Sequence, residues 1–309
     1  MAKDMYQKRK ERKEKAMGKN NAEERFQKSV INWYPGHMAK AKRLMKERLP
    51  LIDIVFELID SRIPYSSKIN NIDETIGNKE KILVFNKYDL CDKTETDKWI
   101  EYYKEQGFYV VKTELIDGKN IKSLLDQTKE ILKAIDDKRI AKGLKPRKKR
   151  AMIVGIPNVG KSTLINKLTK RKSVKTGNKP GVTKSLDWIR VGNDLELMDT
   201  PGILWPKLED QTAALNLATF SAIKEEILPL SEVSVHILKM YNKYYPHILK
   251  EYYSIENFDK EDLLPVFETI AKFKNFKGKG NNLDFDKVVL LLINDIKDAK
   301  IKNLTFDRL

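Results

Sequence analysis

The sequence has very few of the residues that staple or metallate a protein. One cysteine, Cys91, stands among 309 residues. It leaves no pair for an internal disulfide and no second thiol for a metal site, so a reducing cytoplasm is the expected compartment. Histidine is also scarce: His37, His236 and His247 are the only three. The longest apolar run, Val288 to Ile293, falls far short of the ~18 residues that a membrane span requires. Residues 1–28 alternate charges with no apolar stretch, so they are not expected to act as a signal peptide. Acidic residues are outnumbered, 44 Asp and Glu against 60 Lys and Arg, for a formal charge of +16. That balance suits a polyanionic partner such as nucleic acid better than an acidic one.

What the chain does have is a set of nucleotide motifs in an unusual order. Asn86-Lys87-Tyr88-Asp89 reads as the guanine-selecting NKxD motif, and it precedes the phosphate loop, Gly155 to Ser162. Pro180-Gly181-Val182-Thr183 and Asp199-Thr200-Pro201-Gly202 follow. A Ras-like domain runs phosphate loop, switch threonine, DxxG and then NKxD. Here its last part stands first, and the chain leaves the DxxG switch directly into a C-terminal region.

Each motif carries a specific chemistry. Backbone N–H groups from Asn158, Val159 and Gly160 through Thr163 can wrap phosphates, Lys161 neutralises them, and the Ser162 hydroxyl suits Mg²⁺. Asn86 is placed to meet guanine N7 and O6, Lys87 to lie along the base, and Asp89 to accept from N1 and N2. Asp199 would hold Mg²⁺ through water, and the Gly202 N–H would bond the γ-phosphate. Thr183 is either the second switch ligand to Mg²⁺ or a surface threonine after a turn. The position that carries a water-orienting glutamine in Ras-type enzymes is Ile203, whose side chain cannot hydrogen-bond. Asn158 reads as a ligand for K⁺, placed where an arginine finger would put its charge, or as a partner within its own loop. His37, between Pro35-Gly36 and a basic helix expected over 39–48, is either a turn residue or the group that replaces the glutamine. His236 and His247 read as packing or surface residues. The loop that should back the base falls on Thr113 to Gly118.

Strand signals cover Leu51–Ile59, Lys81–Phe85, Phe108–Val111 and Ala151–Val154, with a hairpin over Leu186–Val191 and Leu195–Met198. Helices alternate with them at Trp99–Gln106, Ile121–Ile135 and Lys161–Leu168, a pattern of a mostly parallel sheet. Residues 138–150 are basic and broken by Gly143 and Pro146, and read as the linker joining the permuted halves. From Asp210 the periodicity is helical only, at Thr212–Ile223, Ser231–Tyr244, Asp262–Phe273 and Asp284–Ala299. The expected organisation is a basic tail over 1–28, a GTPase domain over 29–205 and a helical domain over 206–309.

Trp33 to Ala41 (Trp-Tyr-Pro-Gly-His-Met-Ala-Lys-Ala), Asp60-Ser61-Arg62-Ile63-Pro64, the permuted order and Asp199 to Lys207 resemble the YlqF-type circularly permuted GTPases. The resemblance spans roughly residues 30 to 300. It implies a cytoplasmic α/β GTPase, a circularly permuted Ras-like domain followed by a small all-α domain. Its implied substrate is GTP, with Mg²⁺ and K⁺ stimulation, and its implied partner is the large ribosomal subunit precursor, with rRNA and ribosomal proteins. No membrane association is expected, and a monomer is. The resemblance also implies His37, with Lys161 and Thr183, as catalytic. The tail before Ser29 is longer than in that family, and residues 113–118 lack its usual serine–alanine pair. Two rivals stand beside this reading: a non-catalytic RNA-binding scaffold, and a G protein acting on a protein or membrane.

Overall fold

The computed structural model describes residues 43–69, 72–170, 188–202, 210–223, 228–259, 262–278 and 281–309. His37, Thr183, Ile203 and the tail over 1–28 lie outside the described residues. Of the basic helix expected over 39–48, the described part, 43–48, is helical.

Six strands form one sheet: β1 (Ile54–Asp60), β2 (Glu80–Asn86), β3 (Tyr109–Lys112), β4 (Lys149–Gly155), β5 (Trp188–Val191) and β6 (Leu195–Asp199). Their spatial order is β3-β2-β1-β4-β6-β5. All neighbours run parallel except β5, which pairs antiparallel with β6. The central strands are buried on both faces, which is why they read as continuous apolar runs rather than alternating ones. One charge interrupts β1. Glu57 is fully buried, accepts from the Ile69 N–H at 2.8 Å and faces the Lys81 ammonium at 3.3 Å.

The helices around the sheet are α1 (Pro64–Ser67), α2 (Ile72–Ile76), α3 (Lys93–Glu105), α4 (Ile121–Ile140), α5 (Lys161–Thr169) and α6 (Gln211–Thr219). Helix α3 starts six residues before the position expected from its apolar face, because the Asp92 carboxylate caps it by accepting from the Glu95 N–H. Helix α4 runs five residues past its expected end. Its last turn closes on Gly143 at φ +69°, with the Leu144 N–H reaching back to the Arg139 carbonyl at 3.0 Å. The linker is therefore shorter than 138–150, since helix takes its first three residues and β4 its last two. Three of its cations are also engaged: Arg147 with Asp53, Lys149 with Asp136 and Arg150 with Glu196.

The chain divides into two compact units. One contains the described residues between Ile31 and Leu228 together with Ile293–Leu309, and the other contains Pro229–Leu292. The expected boundary at 205/206 is corrected by two contacts. Asn216 on α6 donates to the Asp307 carboxylate at 2.8 Å, and Phe220 packs edge-on against Phe306 at 5.2 Å. Both α6 and the chain's last residues thus belong with the sheet.

The second unit holds α7 (Leu230–Tyr244), α8 (Pro246–Tyr253), α9 (Leu264–Phe273) and most of α10 (Phe285–Lys297). Helix α8 has no counterpart in the sequence reading. Pro246 ends α7 and also opens α8, since a proline at the first helical turn loses no hydrogen bond. Tyr241 and Tyr253 stack at 6.3 Å inside this unit. His236 on α7 is buried, and burial pushes its pKa down to about 4 with help from Lys239, so it is neutral near pH 7. Among the described residues no helix is long and apolar enough to cross a membrane.

Candidate functional site

The carboxyl ends of β1, β2, β4 and β6 deliver the motif loops to one edge of the sheet, where α/β folds take ligands. Gly160 opens α5 at φ +109°, and a Cβ there would lie 2.3 Å from the Asn86 side-chain nitrogen. Only glycine lets the phosphate loop come so close to the NKxD motif. The contact is bonded, since the Asn86 amide donates to the Val159 carbonyl at 2.7 Å. An amide nitrogen carries two hydrogens, so a second donor remains for a base. Two motifs 73 residues apart in sequence are thereby one structure.

Lys161 is buried, and its ammonium donates to the carbonyls of Gly155 and Ile156 at 3.0 and 2.8 Å. Burial pushes its pKa down to about 8, while the Asp199 carboxylate pulls the other way. The Ser162 hydroxyl faces the Asp199 carboxylate at 3.4 Å. A Cβ on Gly202 would lie 2.7 Å from the backbone of Pro157, so the DxPG glycine packs on the phosphate loop. A hydroxyl and a carboxylate together are the hard-oxygen set that Mg²⁺ takes alongside phosphate oxygens. Among the described residues no cluster of three or more His, Cys, Asp or Glu side chains could hold an ion with protein ligands alone.

The Lys161 shift gives a pH prediction. In the free protein Lys161 loses its proton as pH rises through about 8. A bound phosphate favours the charged form, so binding above that pH must take up a proton. Affinity for GDP is expected to fall by about tenfold per pH unit above the free-protein value. Calorimetry between pH 7 and 9 in buffers of different ionisation enthalpy measures the uptake directly. Flat affinity and no uptake across that range would refute the assignment.

On the base side, Lys87 sits in the left-handed region at φ +59° and its ammonium donates to Asp60 at 2.9 Å. Arg62 grips the same carboxylate through Nε at 2.9 Å and Nη2 at 2.8 Å. Burial alone would raise the pKa of Asp60, but Arg62 and Lys87 hold it well below the usual carboxylate range. Burial lowers that of Lys87 and Asp60 opposes the shift, with Asp89 near enough to add to the opposition. Charges therefore alternate from Arg62 through Asp60 and Lys87 to Asp89. The Tyr88 hydroxyl donates to Asp97 on α3 at 2.9 Å, and the Tyr88 N–H donates to the Thr113 carbonyl at 3.3 Å. The Thr113 hydroxyl lies 3.4 Å from the Asn86 side-chain oxygen, which puts the start of the 113–118 loop beside the NKxD motif.

Asn158 is at φ +57°, and its amide donates to the Ser221 carbonyl at 2.7 Å. Thr163 is half-buried in the first turn of α5. The structure thus gathers Asn86, Asn158, Val159, Gly160, Lys161, Ser162, Asp199 and Gly202, with Lys87 and Asp89 on the adjoining loop. The sequence reading gave no role to Asp60, Arg62 or Ser221. Asp60 and Arg62 were visible only as a charged pair closing the apolar β1 run and as part of the stretch that carries the family resemblance.

A family model described as 50S ribosome-binding GTPase matches residues 150–272, and one described as RsgA GTPase matches residues 74–209. The ribosome biogenesis GTPase A of Priestia megaterium is 49% identical over 279 residues, which are 90% of this chain and 96% of that protein. Its counterpart from Thermotoga maritima is 30% identical over 278 residues, 90% of this chain and 94% of that one. A GDP-bound structure of TM YlqF superposes with a TM-score of 0.64 at 26% identity, over 86% of this chain and 99% of that chain. With the guanine motif bonded to the phosphate loop in a permuted sheet, and with relatives matched over nearly their whole length, the chain belongs to the ribosome biogenesis GTPase A family.

Proposed function

We propose that this protein is a cytoplasmic, GTP-hydrolysing assembly factor. It binds the large ribosomal subunit precursor while the γ-phosphate is present and leaves after hydrolysis. The observation that carries the reading is the bond from Asn86 to Val159 across the Gly160 gap, which makes base selection and phosphate binding one site. The names of the relatives, which place those proteins in ribosome biogenesis, supply the process.

In this reading the N–H groups around Gly160 cradle the phosphates, and Lys161 exchanges its two carbonyl partners for phosphate oxygens. Ser162, Thr183 and Asp199 would hold Mg²⁺, which would supply charge neutralisation to the phosphates. The Gly202 N–H senses the γ-phosphate. Asn158 would hold K⁺ through its side-chain oxygen, the amide atom able to ligate a cation, while its nitrogen donates to the Ser221 carbonyl. Departure of the γ-phosphate frees Gly202, and α6 begins nine residues on, at Gln211, capped by the Asp210 carboxylate. His37 orients the attacking water once the subunit has docked.

Cosedimentation with ribosomal subunits in GTP, GDP and a non-hydrolysable analogue tests the whole reading. Binding is expected with GTP and the analogue and is expected to be lost with GDP. Equal pelleting in all three would refute nucleotide-gated binding.

The linker adds a sharper expectation for RNA. Arg147, Lys149 and Arg150 are tied to Asp53, Asp136 and Glu196, which leaves Lys145 and Lys148 as the better phosphate contacts. Neutralising both should weaken rRNA binding and reduce the slope of log K against log salt by about 1.4, at ~0.7 per contact to single strands. Filter binding across a salt titration reads the slope, and an unchanged slope would make the linker a solvated connector.

A further inference from the structure

Residues Asn303 to Arg308 form no helix or strand, yet Leu304, Thr305, Phe306 and Asp307 are buried. They lie across the loops that leave β1 and β2. The N–H groups of Asn303 and Leu304 both donate to the Leu90 carbonyl, at 2.9 and 3.3 Å, and the Leu90 N–H donates to the Lys87 carbonyl at 3.0 Å. The Thr305 hydroxyl accepts from the Asp92 N–H at 3.1 Å and meets the Thr96 hydroxyl at 2.8 Å. The Phe306 N–H donates to the Arg62 carbonyl at 2.8 Å. Its ring packs on Phe220, the ring that also carries the Arg62 guanidinium at 4.3 Å. The Asp307 carboxylate accepts from the Ser66 N–H and hydroxyl at 2.7 and 2.6 Å and from Asn216 at 2.8 Å.

Two of these partners, Leu90 and Arg62, support the base side of the site. Lys87 holds a left-handed backbone that a lysine rarely adopts, and such a conformation persists only where its surroundings fix it. Two anchors do so here. The Asp60 carboxylate holds the Lys87 side chain, and the Lys87 carbonyl is held through Leu90. The C-terminal residues touch both anchors, the first through Arg62 and the second at Leu90 itself. The phosphate loop, by contrast, is held by Asn86, by β4 and by its own helix.

We propose that Asn303–Arg308 is a positioning strap of the guanine site. It fixes the loop carrying Lys87 and Asp89, and so sets the preference for guanine over a base lacking the exocyclic amine. The proposal rests on the reading of Asn86, Lys87 and Asp89 as the base-selecting residues. A strap that only clasped the fold would change melting temperature and leave base preference alone.

The test uses the full chain with Phe306→Ala, Asp307→Asn and Thr305→Val. The last removes the hydroxyl bonds at nearly constant volume and guards against simple misfolding. Affinities for GDP and for IDP, which lacks the amine that Asp89 reads, are measured by competition below the onset of melting. GDP affinity is expected to fall about tenfold, close to the worth of one good hydrogen bond. IDP affinity should fall less, by about threefold, since it has only the N1–H bond to Asp89 to lose where GDP has two, so the GDP:IDP preference contracts. Folded variants with lowered melting temperature and an unchanged preference would overturn the strap. If the wild-type protein binds GDP and IDP equally, or if Asp89→Asn gains no affinity for xanthosine diphosphate, the base assignment itself fails and the strap with it.

Discussion

Replacing Asp89 by Asn is expected to turn the nucleotide preference from guanine to xanthine. The carboxylate accepts from N1–H and from the exocyclic amine, two charge-assisted bonds worth about 1.5–3 kcal/mol each. Asparagine offers one acceptor and one donor, which mismatches the guanine amine and matches the carbonyl that xanthine carries in its place. A site built to pair a particular polar edge penalises an edge that leaves its buried groups unpaired. GTP affinity should therefore drop by about two to three orders of magnitude, with a comparable gain for XTP. The surroundings favour a clean exchange. Lys87 stays on Asp60, Tyr88 stays on Asp97, and Asn86 still reaches Val159. Competition binding with GTP, XTP and ATP reads the outcome. Wild-type hydrolysis of ATP at the rate of GTP, or a variant without xanthine gain, would refute the assignment.

The elements that carry this site were legible because their signals are local. A buried central strand is an apolar run, and a phosphate loop is a contiguous pattern between strand and helix, so β2, β4 and α5 were found close to their true bounds. Most supports of the site were not legible, because they are polar pairs between distant segments. Asp60 is 27 residues from Lys87, and Ser66 is 241 from Asp307. Nothing in Asn303–Arg308 has periodicity, so its return to the sheet left no trace in the pattern. The linker failed for the same reason. Lys149 and Arg150 read as solvated charge, although they open β4 and meet acids from α4 and β6. Helices α6 and α7 show the same period, and only contacts assign them to different units.

Hydrolysis itself poses the last question. Ile203 follows the DxPG glycine, and an aliphatic side chain cannot orient water, so turnover of the isolated protein is expected near the unassisted Ras-like rate of about 10⁻³ s⁻¹. K⁺ should raise it relative to Na⁺ if Asn158, whose amide nitrogen donates to the Ser221 carbonyl, ligates the ion through its oxygen. Docking on the ribosomal subunit should raise it much further by fixing the Trp33 to Met38 segment, so that His37 reaches the attacking water. A positioned acid–base group contributes about 10²–10⁴ in rate, and His37→Ala should remove most of the subunit-stimulated rate on that scale. GTP affinity should stay near wild type, since His37 belongs to none of the motifs proposed to bind the nucleotide. His37→Gln should restore part of the lost rate, because an amide can still orient water without accepting its proton. Single-turnover hydrolysis with and without subunits separates these steps. An alanine variant that keeps full stimulated turnover would leave His37 a turn residue and place the missing group on the ribosome.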